Sequence, residues 1–168
     1  LEKNIELGGK RGRSEETPPF EAAEVPDEAY QDGMYAKEGV RLIKKLTQEE
    51  QPFFIAVGFK KPHLPFSAPK KYWDMYSRDD IKLTPNPNHP AGSPAYSTAH
   101  YSLANYQGPN DKDGSVIPED YQKTLRHAYA ACVSYIDAQV GKLMTQLQES
   151  GIRENTVVIF IGDHGWHL

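Results

Sequence analysis

Two polar clusters in this chain follow apolar runs. In the first, PFFIAVGF (52–59) gives way to Lys60, Lys61, Pro62 and His63. In the second, VVIFI (157–161) gives way to Gly162, Asp163, His164, Gly165, Trp166 and His167. The residue types suit an anionic ligand held beside a metal. Asp163 offers a hard carboxylate oxygen to a divalent cation. His164 can ligate as neutral imidazole or hydrogen-bond a metal-held group. Lys61 and His63 offer donors to an oxyanion such as sulfate or phosphate. Taken singly, each has a plainer reading. An Asp after a strand often caps a helix or makes an Asx-turn. A Lys-Lys-Pro-His stretch is a common solvated turn, and Trp166 is as easily a packing residue. The conjunction of two charged clusters at two strand ends is what points to a site.

For the clusters to meet, the elements before them must run the same way. Residues 52–59 form a short apolar run rich in aromatic and β-branched residues, the pattern of a strand buried on both faces of a parallel sheet. Residues 157–161 read the same way. Between them, Tyr121, Leu125, Ala128, Cys132, Ile136, Val140, Leu143 and Leu147 step by threes and fours, predicting a long helix over 119–150 that Gly151 stops. An earlier stripe, Ala29, Met34, Ala36, Val40, Ile43 and Leu46, predicts a helix over 28–46, with Asp27 as its cap and Gly33 and Gly39 weakening it. A short helix is expected over 70–76, and a long irregular stretch between that helix and Pro118. Residues 1–26, Gly/Pro-rich and charged, read as an irregular linker or loop. Helix, strand, insertion, helix, strand is the order of an α/β fold with a mostly parallel sheet flanked by helices. In such sheets ligands gather at the carboxyl ends of the strands, so both clusters are expected on one edge.

Bulk properties narrow the classes. The 168 residues suit one domain or a large piece of one, and 38% hydrophobic content is enough for a core. With 19 Lys plus Arg against 23 Asp plus Glu, the formal net charge is -4, which gives no basic field for nucleic acid. No apolar run approaches the ~20 residues that span a bilayer. The lone cysteine, Cys132, excludes an internal disulfide framework and reads most simply as a small buried hydrophobe.

The blocks FFIAVGFKKPHLPFSAPKKYW, LRHAYAACVSYIDAQVGKLM and NTVVIFIGDHGWHL together resemble the central part of a type I sulfatase. They are most similar to the iduronate-2-sulfatase branch of the alkaline phosphatase superfamily. The resemblance covers residues 27–168, which it identifies as the central part of a catalytic domain. It implies hydrolysis of sulfate esters of sugars, such as uronate-2-sulfate units of a glycosaminoglycan or an algal polysaccharide. In that family a formylglycine, made from a cysteine in a C-x-P-S-R-type motif, attacks sulfur beside a calcium or magnesium ion. The resemblance assigns Asp163 and His164 to the metal and His63 to the sulfate or leaving oxygen. Lys61 falls to the sulfate shell or a substrate carboxylate, and Trp166 and His167 to the substrate rim. A periplasmic, secreted or lysosomal setting is the family's.

Departures accompany the likeness. These residues contain no C-x-P-S-R motif and no early Asp-Asp metal pair. The expectation is therefore an internal fragment, inactive alone. Two other readings stay open: a phosphodiesterase or phosphonate hydrolase of the same superfamily, and a non-catalytic sugar-binding relative. An upstream cysteine in C-x-P-S-R separates the sulfatase from phosphatases using Thr or Ser.

Overall fold

A 31-residue helix with small and aromatic residues on one stripe organises the packing. The computed structural model describes residues 17–49, 51–87, 91–94, 103, 106–109 and 116–165. Within them, strand β1 is Phe20–Glu21, helix α1 is Gln31–Thr47, strand β2 is Phe66–Ser67, short helix α2 is Lys70–Trp73 and the long helix α3 is Glu119–Glu149. At ~1.5 Å per residue α3 is ~46 Å long. It buries Leu125, Ala128, Ala131, Cys132, Tyr135, Ile136, Gln139, Gln146 and Leu147. Gly151, at φ +69°, ends it, and the Ile152 N–H closes back on the Leu147 carbonyl (3.2 Å).

The fold is α/β, with a parallel pair of strands against helices. β1 and β2 align Phe20 with Phe66 and Glu21 with Ser67. The pairing continues where the Lys70 N–H donates to the Ala23 carbonyl (2.8 Å). The described end of the segment expected as loop is thus tied down, with Thr17, Glu21 and Ala23 buried. The reason is aromatic: Phe20 packs on Trp73 and Tyr121, with ring centroids 6.0 and 5.9 Å away.

The two apolar runs themselves differ from expectation. Neither is paired into a ladder among the described residues, so the parallel pair is β1–β2 rather than 53–59 with 157–161. Exposure alternates along the first run. Phe53, Ile55, Val57 and Phe59 are half-buried, and Phe54 is 90% exposed. That is the period of an extended segment with one face covered. A Cβ on Gly39 of α1 would lie 2.8 Å from Leu143 of α3 and 3.2 Å from Val57, so Gly39 is where α1, α3 and the run converge. The second run has no such cover: Val157 is 88%, Ile159 75% and Ile161 79% exposed. A continuous apolar run forecasts cover on two faces. Here the described residues supply it on one face of the first run and on almost none of the second.

Asp27 also departs from its expected capping role. It begins a 3₁₀ turn, Asp27–Ala29, and caps no helix with its side chain. Its carboxylate accepts from Lys71 (2.7 Å), Lys142 (2.8 Å), Gln139 (3.1 Å) and the Tyr72 hydroxyl (3.0 Å). Burial pushes this carboxyl up. The hydrogen bonds from Lys142, Lys71, Gln139 and Tyr72 outweigh burial and hold it well below the usual carboxylate range.

Candidate active site

The loop carrying Lys61 and His63 runs from the end of the first apolar run into β2. Asp32, in the first turn of α1, fixes its start. Its Oδ1 accepts the Lys60 N–H (2.7 Å) and its Oδ2 the Lys61 N–H (3.1 Å). The His63 N–H then donates to the Lys60 carbonyl (3.0 Å), and the Lys61–Pro62 and Leu64–Pro65 peptide bonds are both cis. Leu64 and Phe66 anchor the far side in the core at 3% and 0% exposure, and Phe66 stands edge-on to Tyr129 of α3 (5.7 Å).

Within that frame His63 is exposed, and its Nδ1 lies 2.7 Å from the Leu64 carbonyl. A carbonyl only accepts, so Nδ1 carries the proton. In the neutral ring Nε2 then holds the lone pair, and in the imidazolium it donates. Lys61 is placed differently. Its ammonium turns into the loop and donates to the carbonyls of Pro65 (2.5 Å) and His63 (3.1 Å). Burial lowers its pKa to about 8, with the Asp32 and Glu21 carboxylates partly compensating. Two of its three donors therefore serve the backbone around His63. Cys132 lies on the buried face of α3, and burial pushes its thiol up to about 12, which makes it an inert packing residue.

Asp163 and His164 are exposed. Asp163 Oδ1 accepts the His164 N–H (3.0 Å), Oδ2 lies 3.9 Å from His164 Nε2, and His164 Nδ1 donates to the Gly165 carbonyl (3.0 Å). Among the described residues their hydrogen bonds and ion pair are with each other and with Gly165, and none joins them to Lys61 or His63. A carboxylate beside an imidazole suits a hard divalent cation as part of a shell. Among the described residues no third His, Cys, Asp or Glu joins them to complete one. Trp166 and His167 lie outside the described residues.

Sequence reading missed Asp32, and a signal for it exists. Positions 32, 36, 39 and 43 lie on one face of α1, and Asp32, Gly33, Ala36, Gly39 and Ile43 are its buried residues. An acid on an apolar stripe calls for a buried donor. Gln139 and Lys142, on the apolar side of α3, carry the same kind of signal for Asp27.

A sulfatase family model matches residues 6–168. Iduronate 2-sulfatase of Mus musculus is 36% identical over 155 residues, covering 89% of this chain and 28% of that protein. Iduronate 2-sulfatase of Homo sapiens is 34% identical over the same span and shares. An ulvan-active sulfatase of Formosa agariphila is 32% identical over 124 residues, 73% of this chain and 19% of that protein. The chain thus spans less than a third of the length of these relatives.

Proposed function

We propose, from the premise that this chain belongs to the sulfatase family, that it is the central part of an enzyme hydrolysing sulfate esters of sugars. In this reading the parent substrate is a sulfated saccharide, a uronate-2-sulfate in the manner of the mammalian relatives or a unit of a sulfated polysaccharide. The observation that carries it is the match over residues 6–168 together with a His63 loop whose backbone and imidazole are both fixed by hydrogen bonds.

His63 is the group that meets the sulfate. With Nδ1–H on the Leu64 carbonyl, Nε2 is the nitrogen that acts on substrate in this reading. As imidazolium it donates to a sulfate oxygen or passes a proton to the departing alcohol oxygen, whose charge rises as the S–O bond breaks. The Lys61 ammonium, behind the same loop, adds positive potential. Asp163 and His164 would contribute one carboxylate and one imidazole to a calcium or magnesium ion, which neutralises sulfate charge when bound. Remaining ligands and a formylglycine nucleophile belong to the parent outside this chain. A periplasmic, secreted or lysosomal setting goes with this reading.

Steady-state kinetics of His63→Ala in the intact parent, on a 2-O-sulfated uronide, test it. The expected result is a fall in kcat of roughly 10²–10⁴, the scale for losing a positioned acid or base. Wild-type rates end the assignment. A phosphodiester assayed in parallel decides between sulfate and phosphate as the working substrate.

A further inference from the structure

Asp32 is 2% exposed, and both of its oxygens point at consecutive backbone N–H groups 28 and 29 residues downstream. Such carboxylate–amide bonds are charge-assisted, stronger than neutral ones. Downstream, Lys61 Nζ bonds the carbonyls of His63 and Pro65. The His63 backbone is therefore held at its N–H by Lys60 and at its C=O by Lys61. Lys60 and Lys61 are in turn held by Asp32. An exposed imidazole on an irregular loop thus has its main chain specified from a buried helix.

We propose that Asp32 is a positioning residue for His63, acting through a two-sided clamp: its carboxylate fixes where the loop begins and the Lys61 ammonium fixes how it closes. The inference deepens the functional reading above and rests on it. Neither group needs to touch substrate. Asp32→Asn is nearly isosteric, but its amide presents an NH₂ to one of the two N–H donors, so one of the bonds becomes donor against donor. A displacement of the imidazole on the order of 1 Å is enough to cost about 10²-fold in rate.

The experiment is a double-mutant cycle in the intact parent on the sulfated uronide, with amide hydrogen exchange of residues 60–66 measured alongside. Asp32→Asn is expected to lower kcat by about 10²-fold with KM nearly unchanged. In a His63→Ala background the same change is expected to lower kcat little further, because the imidazole it positions is gone. The Lys60 and Lys61 amides are expected to exchange faster. Equal losses in both backgrounds, or unchanged kcat with unchanged exchange, overturn the clamp. Should Asp32→Asn not fold, Asp32→Glu, which keeps the charge and moves the acceptor oxygens, is carried through the same cycle under the same criteria. Wild-type rates for His63→Ala sink the reading of His63 itself, and the exchange data still decide whether the clamp exists.

Discussion

The loop with His63 and the stretch with Asp163 begin alike, as polar residues after an apolar run, yet the structure treats them oppositely. The first is held by bonds that reach 28 and 29 residues back to α1, and its flanks are in the core. The second is held by bonds between adjacent residues and stands on a run whose Val157, Ile159 and Ile161 are at least 75% exposed. Long-range bonds fix a side chain in the frame of the fold, whereas neighbour bonds fix it only against its own backbone. The described residues thus fix the His63 loop from within the fold and hold Asp163 and His164 only locally.

The largest expected effect is on the buried side of that comparison. Asp27 joins the turn before α1 to α2 and α3 through Lys71, Tyr72, Gln139 and Lys142. Asp27→Ala should destabilise the protein by about 2–4 kcal/mol, because it leaves the buried Tyr72 hydroxyl and Gln139 amide without this acceptor, while Lys71 and Lys142 reach solvent. Urea denaturation measures it, and a loss under about 1 kcal/mol would mean the hub contributes little. The pH dependence sharpens the point. The folded pKa lies below the ordinary value of 3.8, so this carboxylate's contribution is complete above that pH and is lost as pH falls beneath it. Asp27→Asn should flatten the acid limb below about pH 4.

Next comes Gly33. Helix propensity alone favours Gly33→Ala by up to ~1 kcal/mol. The structure reverses the sign: a Cβ there would sit 2.0 Å from the Asp27 carbonyl oxygen. The Gly33 N–H also donates to the Tyr135 hydroxyl (2.6 Å), which itself donates to that carbonyl (2.9 Å). The substitution should cost roughly 1–3 kcal/mol, as overpacking does. A stabilised Gly33→Ala protein would show that the start of α1 is freer than drawn.

Those two residues also mark how far the sequence could be read. The apolar stripes placed both long helices to within three residues at each end, since a 3.6-residue period is local information. The glycines that weakened the α1 prediction are the ones its packing requires. Strand pairing was legible only in kind. A parallel pair exists, but Phe20–Glu21 and Phe66–Ser67 are too short to show any period. Asp27 looked like a cap because it stands before a helix, and its four partners lie 44 to 115 residues away. At the candidate site, residue type singled out His63. That Lys61 would turn inward is a consequence of two carbonyls in the same loop, which spacing alone does not reveal.

The smallest expected effect lies on the other side of the comparison. Asp163 is 92% exposed at its side chain, and its nearest ionic partner, His164, is 3.9 Å away and 63% exposed. An exposed pair of that kind contributes about 0–1 kcal/mol, and a surface substitution clear of buried features stays within about 0.5. Asp163→Ala and His164→Ala should therefore leave the urea midpoint of this 168-residue chain almost unmoved. A shift above about 1 kcal/mol would mean that the stretch after the second apolar run is packed, and the contrast with the His63 loop would collapse. Calorimetry with calcium completes the test. Two ligands fall well short of the six or more oxygens calcium takes, so the chain alone should bind it weakly. The same substitutions in the intact parent should abolish metal-dependent activity while leaving the fold in place. Loss of a ligand without loss of stability is what separates a residue kept for chemistry from one kept for packing.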